Sequence, residues 1–381
     1  MFNVSMKEEK KVEYIELIYD LIFVYIIGRN NSLVQHVTNG FIDGEIYLTY
    51  LLCTLITIQI WYSTTMFINR YGSNKMSEYI GLFINMYLLY YMADGTRVHW
   101  QTHFYRYNIA WMLILVNLLV QYYLIYRETA KQAPWEQASI RQMMRSLAIQ
   151  IGLLFIGIVQ YRFTGLPLTP IALVFGMVVA FLGRKKADLV AVDFPHLTER
   201  VMLYIVFTFG EMIIAIAGYF EGEINAVRIY YTVMAFLIVV GLFMSYGCLY
   251  NRLLDREMNI SGNGYMFLHM FIIFALSNLT TALEFMREEE VAVVPKNIFL
   301  IISFVAYYIF LFMTVPYTKG YGGSLKVLRP LGIALVVFVA LMAFSYSHPM
   351  ISIGISAALT FAIWYMEFNY WKKLKAIGRI H

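Results

Sequence analysis

A chain of 381 residues that is 60% hydrophobic and only 14% charged lies far outside the soluble range, where roughly 45–50% apolar and about 25% charged residues are usual. That composition excludes a cytosolic enzyme, a secreted disulfide scaffold and a disordered tail protein, and it predicts an all-α polytopic membrane protein. The net charge of +5 does not point to nucleic acid, because Lys and Arg fall between apolar runs, where lipid headgroups and translocation signals account for them.

Taken in chain order, apolar windows predict twelve spans, at about 13–31, 46–68, 77–94, 104–126, 144–161, 167–183, 197–219, 229–250, 264–283, 297–315, 327–346 and 350–368. Helix is the expected form, since hydrocarbon cannot satisfy open backbone groups and no alternating strand pattern of barrel length appears. The N-terminal stretch MFNVSMKEEKKVEYIELIYD has no apolar core followed by a small-residue cleavage site, and is expected to run straight into the first span. Cys53 and Cys248 both sit inside apolar runs, which argues against a disulfide framework and against a zinc site. No cofactor is expected.

Loop charge tests the count. With a cytoplasmic N-terminus, 22 of the 29 Lys and Arg residues fall on inside segments and 7 on outside ones. The inside set runs from Lys7, Lys10 and Lys11 through Arg70 and Arg200 to Lys372, Lys373, Lys375 and Arg379. A threefold bias of that sign predicts twelve spans with both termini cytoplasmic. The connector EFMREEEVAVVPKN reads as a solvated outer loop.

Ionisable residues inside a membrane are costly, roughly +2.5–3.5 kcal/mol each at a helix centre, so depth ranks them. The first span carries Glu16 and Asp20 in VEYIELIYDLIFVYIIG. Four residues apart on a helix, they share one face, and a shared proton, a bound cation or a basic partner is needed to relieve them. The seventh span, DFPHLTERVMLYIVFTFGEMIIAIAGYF, places His196, Glu199 and Arg200 at its start and Glu211 deep in apolar sequence. Glu211 lies about 18 Å beyond Glu199 along an ideal helix, and is expected to face the interior. Gly210 beside it permits close helix approach or a local break. Arg200 is a candidate to neutralise Glu16 or Asp20, while His196 and Glu199 also suit helix capping after Asp193. Asp94, Arg97, His99, His103 and Arg106 read as a solvated outer vestibule, and His269 as a partner for a neighbouring carbonyl. Asn85, Asn117, Gln121, Gln150 and Asn278 read as interhelical hydrogen-bonding residues. The sequence contains none of the GxSxG, HExxH, Walker or GxGxxG patterns of soluble catalysis.

ELIYDLIFVYIIG and HLTERVMLYIVFTFGEMIIAI together resemble the two signatures of the bacterial low-temperature-requirement A (LtrA) family, in the right order and at about the right separation. The resemblance covers essentially the whole chain. Residue by residue it carries over Glu16, Asp20, His196, Glu199, Arg200 and Glu211, and it implies a bacterial plasma-membrane setting without implying a reaction. Ile18-Tyr19 and Met212 depart from the family pattern.

Both motif spans begin on the cytoplasmic side with a Glu in the first turn, which suggests two parallel six-helix halves, 1–183 and 184–381. The favoured expectation is a transporter or channel for a small ion or solute, using the carboxylates of spans one and seven. The competing expectations are a membrane enzyme acting on a lipid or polyprenyl-linked substrate, with His196, Glu199 and Arg200 at the interface, and an accessory structural protein. The expected partners are the lipid bilayer and the small ion or solute, with a homo-oligomer compatible and nucleic acid not expected.

Overall fold

The computed structural model describes residues 10–96, 100–129, 134–182, 192–221, 223, 225–319 and 325–378. Those residues form an all-α protein of twelve helices. They are α1 (Tyr14–Val34), α2 (Gly44–Tyr71), α3 (Met76–Gly95), α4 (Trp100–Thr129), α5 (Pro134–Thr164) and α6 (Pro170–Leu182). The chain continues through α7 (Phe194–Ile216), α8 (Ala226–Cys248), α9 (Asn263–Arg287), α10 (Val293–Phe312), α11 (Leu325–Phe344) and α12 (Pro349–Ala376). Each predicted apolar window coincides with one of them.

Nine are long and apolar enough to cross a membrane: α1, α2, α4, α5, α7, α8, α9, α10 and α12. The apolar parts of α6 and α11 are shorter. In α3 the obstacle is composition, since Tyr79, Tyr87, Tyr90, Tyr91 and Asn85 interrupt the hydrocarbon character. Large apolar side chains face outward, Phe163 at 81% exposure and Phe344 at 86% among them, an arrangement only lipid tolerates on this scale. The chain is an integral, multi-pass membrane protein.

One short hairpin departs from helix. Val37–Thr38 and Phe41–Ile42 pair antiparallel around Asn39-Gly40, both with positive φ (53° and 84°). Asn-Gly is the dipeptide that such a two-residue turn requires. The Gly40 carbonyl then accepts from the Ala292 N–H at 2.7 Å, tying the turn to the start of α10.

The chain divides into two compact units. The first comprises Met1–Leu33, Glu45–Tyr204 and Arg256–Met270. Within it α3 packs on α4, α4 on α5 and α5 on α6. Carboxamides join these helices: Asn117 Nδ2 donates to the Gly81 carbonyl and to Asn85 Oδ1. Gln150 Nε2 likewise donates to Gln59 Oε1 and the Ala172 carbonyl. In hydrocarbon such bonds satisfy groups that would otherwise have no partner.

The second unit comprises Val34–Gly44, Ile205–Asp255 and Phe271–His381. Here α12 packs along α8 and α11, with Gly241 of α8 set so closely against Thr360 that no side chain would fit between them. Gly210 has open space beside it and α7 runs through it unbroken. The expected close approach or break at Gly210 is therefore not what this glycine provides.

Some residues counted as inside or outside loop charges belong to helices. Arg70 and Arg200 are buried within α2 and α7, and Lys296 is buried in the first turn of α10. Lys7, Lys131, Arg184, Lys185, Lys186 and Arg379, together with Arg97 and His99, lie outside the described residues.

Candidate functional site

Two i, i+4 pairs build the centre of the first unit. Glu16 and Asp20 share a face of α1, and His196 and Arg200 share a face of α7. All four are buried, with relative exposures of 0–1%. Arg200 holds Asp20 in a two-pronged grip, Nη2 donating to Oδ1 and Nε to Oδ2 at 3.3 Å. Its Nη1 lies 3.1 Å from Glu16 Oε2, and His196 Nε2 lies 3.3 Å from the same oxygen. Those last two distances are ion-pair contacts whose angles fall short of hydrogen bonds, and Glu16 Oε1 has no hydrogen-bond partner. The guanidinium thus serves Asp20 fully and Glu16 only in part.

Neighbouring groups fix this geometry. Asp193 caps α7, its Oδ1 accepting from the His196 N–H at 3.1 Å, the usual task of an aspartate before a helix. Asn69, near the end of α2, grips the Asp193 backbone: its Oδ1 accepts the N–H at 3.1 Å and its Nδ2 donates to the carbonyl at 2.9 Å. That orientation leaves the second Nδ2 hydrogen for His196 Nδ1, 2.9 Å away. Nδ1 must then be the acceptor, so the ring is the neutral tautomer with its proton on Nε2, facing Glu16.

Aromatic rings pack around the cluster. Trp61 Nε1 donates to Asp20 Oδ1 at 3.0 Å, and its ring lies 4.4 Å from that of Tyr204. Tyr19 donates its hydroxyl to Thr64 Oγ1 at 3.2 Å and packs edge-on against Phe23. Below the cluster, Lys10 precedes α1 and donates Nζ to the Ile68 and Gly72 carbonyls at 2.7 and 3.1 Å. Those are end-of-helix carbonyls of α2, where a cation is favoured. Burial holds the Lys10 ammonium below the usual lysine range, while Glu16 pulls in the opposite direction.

The charges do not cancel. Arg200 contributes one positive charge, Glu16 and Asp20 two negative, and neutral His196 none, leaving one negative charge in surroundings of low dielectric. Lys10 stands in the next layer, in electrostatic reach of Glu16, Glu78 and Asp193, with its ammonium spent on helix-end carbonyls. An uncompensated buried charge costs several kcal/mol, and Glu16 is the less completely paired of the two carboxylates.

The remaining sequence candidates lie elsewhere. Glu199 points away from the cluster and is exposed. Glu211 is half-buried in the second unit, in electrostatic reach of Glu284, whose Oε1 accepts from Gln35 Nε2 at 3.1 Å. Asp94 pairs with Arg106 on the surface. His269 Nδ1 is 2.8 Å from the Tyr265 carbonyl, a backbone contact within its own helix. Among the described residues no three His, Cys, Asp or Glu side chains converge as metal ligands would.

Sequence reasoning passed over Trp61, Asn69 and Lys10, which shape the cluster. It also passed over Glu367 of α12, a buried carboxyl that accepts from Ser245 Oγ at 2.7 Å. Trp61 and Asn69 carry no charge and so left no signal of depth. Glu367 lies at the end of its window, where a carboxylate ordinarily reaches water; its position inside YMEFNYW was the available clue.

Fold and site together define a class: an all-α, multi-pass integral membrane protein with a buried acid–arginine–histidine network on its first and seventh helices. Residues 11–364 match the family of the bacterial low temperature requirement A protein (LtrA). The chain belongs to that family. No curated protein matches it.

Proposed function

We propose that the protein is a transporter or channel for a small ion or solute in the bacterial plasma membrane, with Glu16 and Asp20 forming its proton or cation site. His196 and Arg200 complete that site. In this reading the chain crosses the membrane twelve times with both termini cytoplasmic, as two six-helix halves, and Glu211 is a further proton- or ion-binding residue. The observation that supports it is the half-served Glu16 carboxylate: neither of its buried oxygens accepts a hydrogen bond, and the guanidinium beside it is already committed to Asp20. A purely structural ion pair would be closed. This one has room in its charge balance for a single exchangeable cation, a common role for intramembrane acids.

The test is flux into proteoliposomes containing a pH-sensitive or cation-sensitive dye, under an imposed gradient. Wild-type protein is expected to collapse a proton, sodium or potassium gradient, and Glu16→Gln to abolish that flux while unfolding at the wild-type temperature. Glu211→Gln is expected to slow it. Undiminished flux in Glu16→Gln removes the site, and a wild-type protein that moves none of the three ions removes the transport reading.

A further inference from the structure

Arg70 is a buried cation without a counter-charge. It lies at the last turn of α2, 9% exposed, and among the described residues no carboxylate is in ion-pair contact with it. Its Nη2 donates to the Ser261 carbonyl at 3.1 Å and to Asn263 Oδ1 at 3.2 Å. Its Nε is buried and makes no hydrogen bond. Two neutral acceptors do not neutralise a guanidinium, so the residue retains both a charge and a donor for something else.

The guanidinium stands at one end of a groove. Tyr62, Met66 and Arg70, spaced four apart, form a stripe about 12 Å long on α2. Leu118 of α4 and Leu147 of α5 continue the buried floor. Met143, Phe175 and Val179 are half-buried and form the lip between α5 and α6. Arg70 is thus the one charged residue among the described residues lining the groove, with Ser63, Ser146, Gln150 and Asn263 as neutral polar groups and the remaining walls mostly apolar. The groove, about 70 Å³ and partly open, suits a stretch of one chain, with the rest of the ligand remaining in the bilayer.

A charged end joined to an apolar channel is the negative image of an anionic amphiphile. We infer that this groove binds an anionic phospholipid, its phosphate on Arg70 and part of one acyl chain between α5 and α6. A phosphate oxygen can take the unpartnered Nε hydrogen of Arg70 and supplies the counter-charge that Ser261 and Asn263 do not. Tyr62, already hydrogen-bonded to Asn263 Oδ1 at 3.4 Å, borders the headgroup end.

The experiment is native mass spectrometry of the full chain in detergent, titrated separately with phosphatidylglycerol, with phosphatidylcholine and with inorganic phosphate. Wild type is expected to retain phosphatidylglycerol about fivefold over phosphatidylcholine, the preference one basic residue confers at such a site. Arg70→Gln is expected to erase that preference. Val179→Trp, which fills the lip and leaves Arg70 untouched, is expected to reduce retention of phosphatidylglycerol by a similar factor even if the Arg70 variant does not fold. Equal retention of the two lipids by wild type overturns the inference, as does unchanged phosphatidylglycerol retention in Val179→Trp. Full displacement of phosphatidylglycerol by inorganic phosphate also overturns it, since that would mark a site for a free anion.

Discussion

Arg200 faces two carboxylates with one charge, and this imbalance orders the effects of substitution. Arg200→Gln strands Glu16 and Asp20 together and is expected to cost about 3–5 kcal/mol, the usual penalty for removing one member of a buried ionic group. Asp20→Asn leaves Arg200 with the poorly aligned Glu16 contacts and should cost less. Glu16→Gln leaves the two-pronged Arg200–Asp20 pair intact and removes the surplus charge, so its change should lie within about 1 kcal/mol. Thermal unfolding of the three variants in the same detergent checks the order. If Glu16→Gln destabilised as much as Arg200→Gln, Glu16 would be an indispensable structural partner, and the charge count would be wrong.

At the scale of elements, spacing within a helix was readable, and so was Arg200 as the partner of Glu16 and Asp20, but the neutral partners between helices were not. Glu16 and Asp20, like His196 and Arg200, declare their shared faces by a four-residue interval. Their residence in long apolar runs also marks them as buried. The neutral members leave no such trace, because Trp61 and Asn69 gain their roles only when α2 is laid beside α1 and α7. Arg70 misled for a related reason: a basic residue at a helix end reads as a loop charge until the covering chain around Ser261 and Asn263 is in place. Glycines behaved likewise. Gly210 stood next to the most conspicuous acid and has open space beside it, whereas Gly241, in an ordinary apolar run, is pressed against Thr360. A Cβ at Gly241 would stand 2.5 Å from Thr360 Cβ and 3.3 Å from its backbone carbon. Gly241→Ala should therefore force α8 and α12 apart at a cost of about 1–3 kcal/mol. Gly210→Ala should be neutral, or stabilising by about 0.5–1 kcal/mol through better helix propensity. Unfolding midpoints of the two alanine variants separate these outcomes, and equal midpoints would refute the packing argument.

At the scale of the whole molecule, the apolar windows located the helices well because crossing hydrocarbon demands long uninterrupted runs. In the proposed twelve-span topology, 22 basic residues fall on the inner side and 7 on the outer. Arg70, Arg200 and Lys296 are now accounted for by burial rather than by loops, and removing them leaves the bias intact at 20 against 6. Reporter fusions at the two termini are expected to show both in the cytoplasm, and a terminus on the outer side would break the twelve-span account. The central claim remains the single exchangeable charge at Glu16. Infrared difference spectroscopy on the reconstituted protein, through a pH step and through a sodium-for-potassium exchange, addresses it most directly. A carboxyl band that responds in wild type and in Glu199→Gln, and is missing from Glu16→Gln, is the predicted result; a wild-type protein without a responding carboxyl band, or a band that persists in Glu16→Gln, would contradict it.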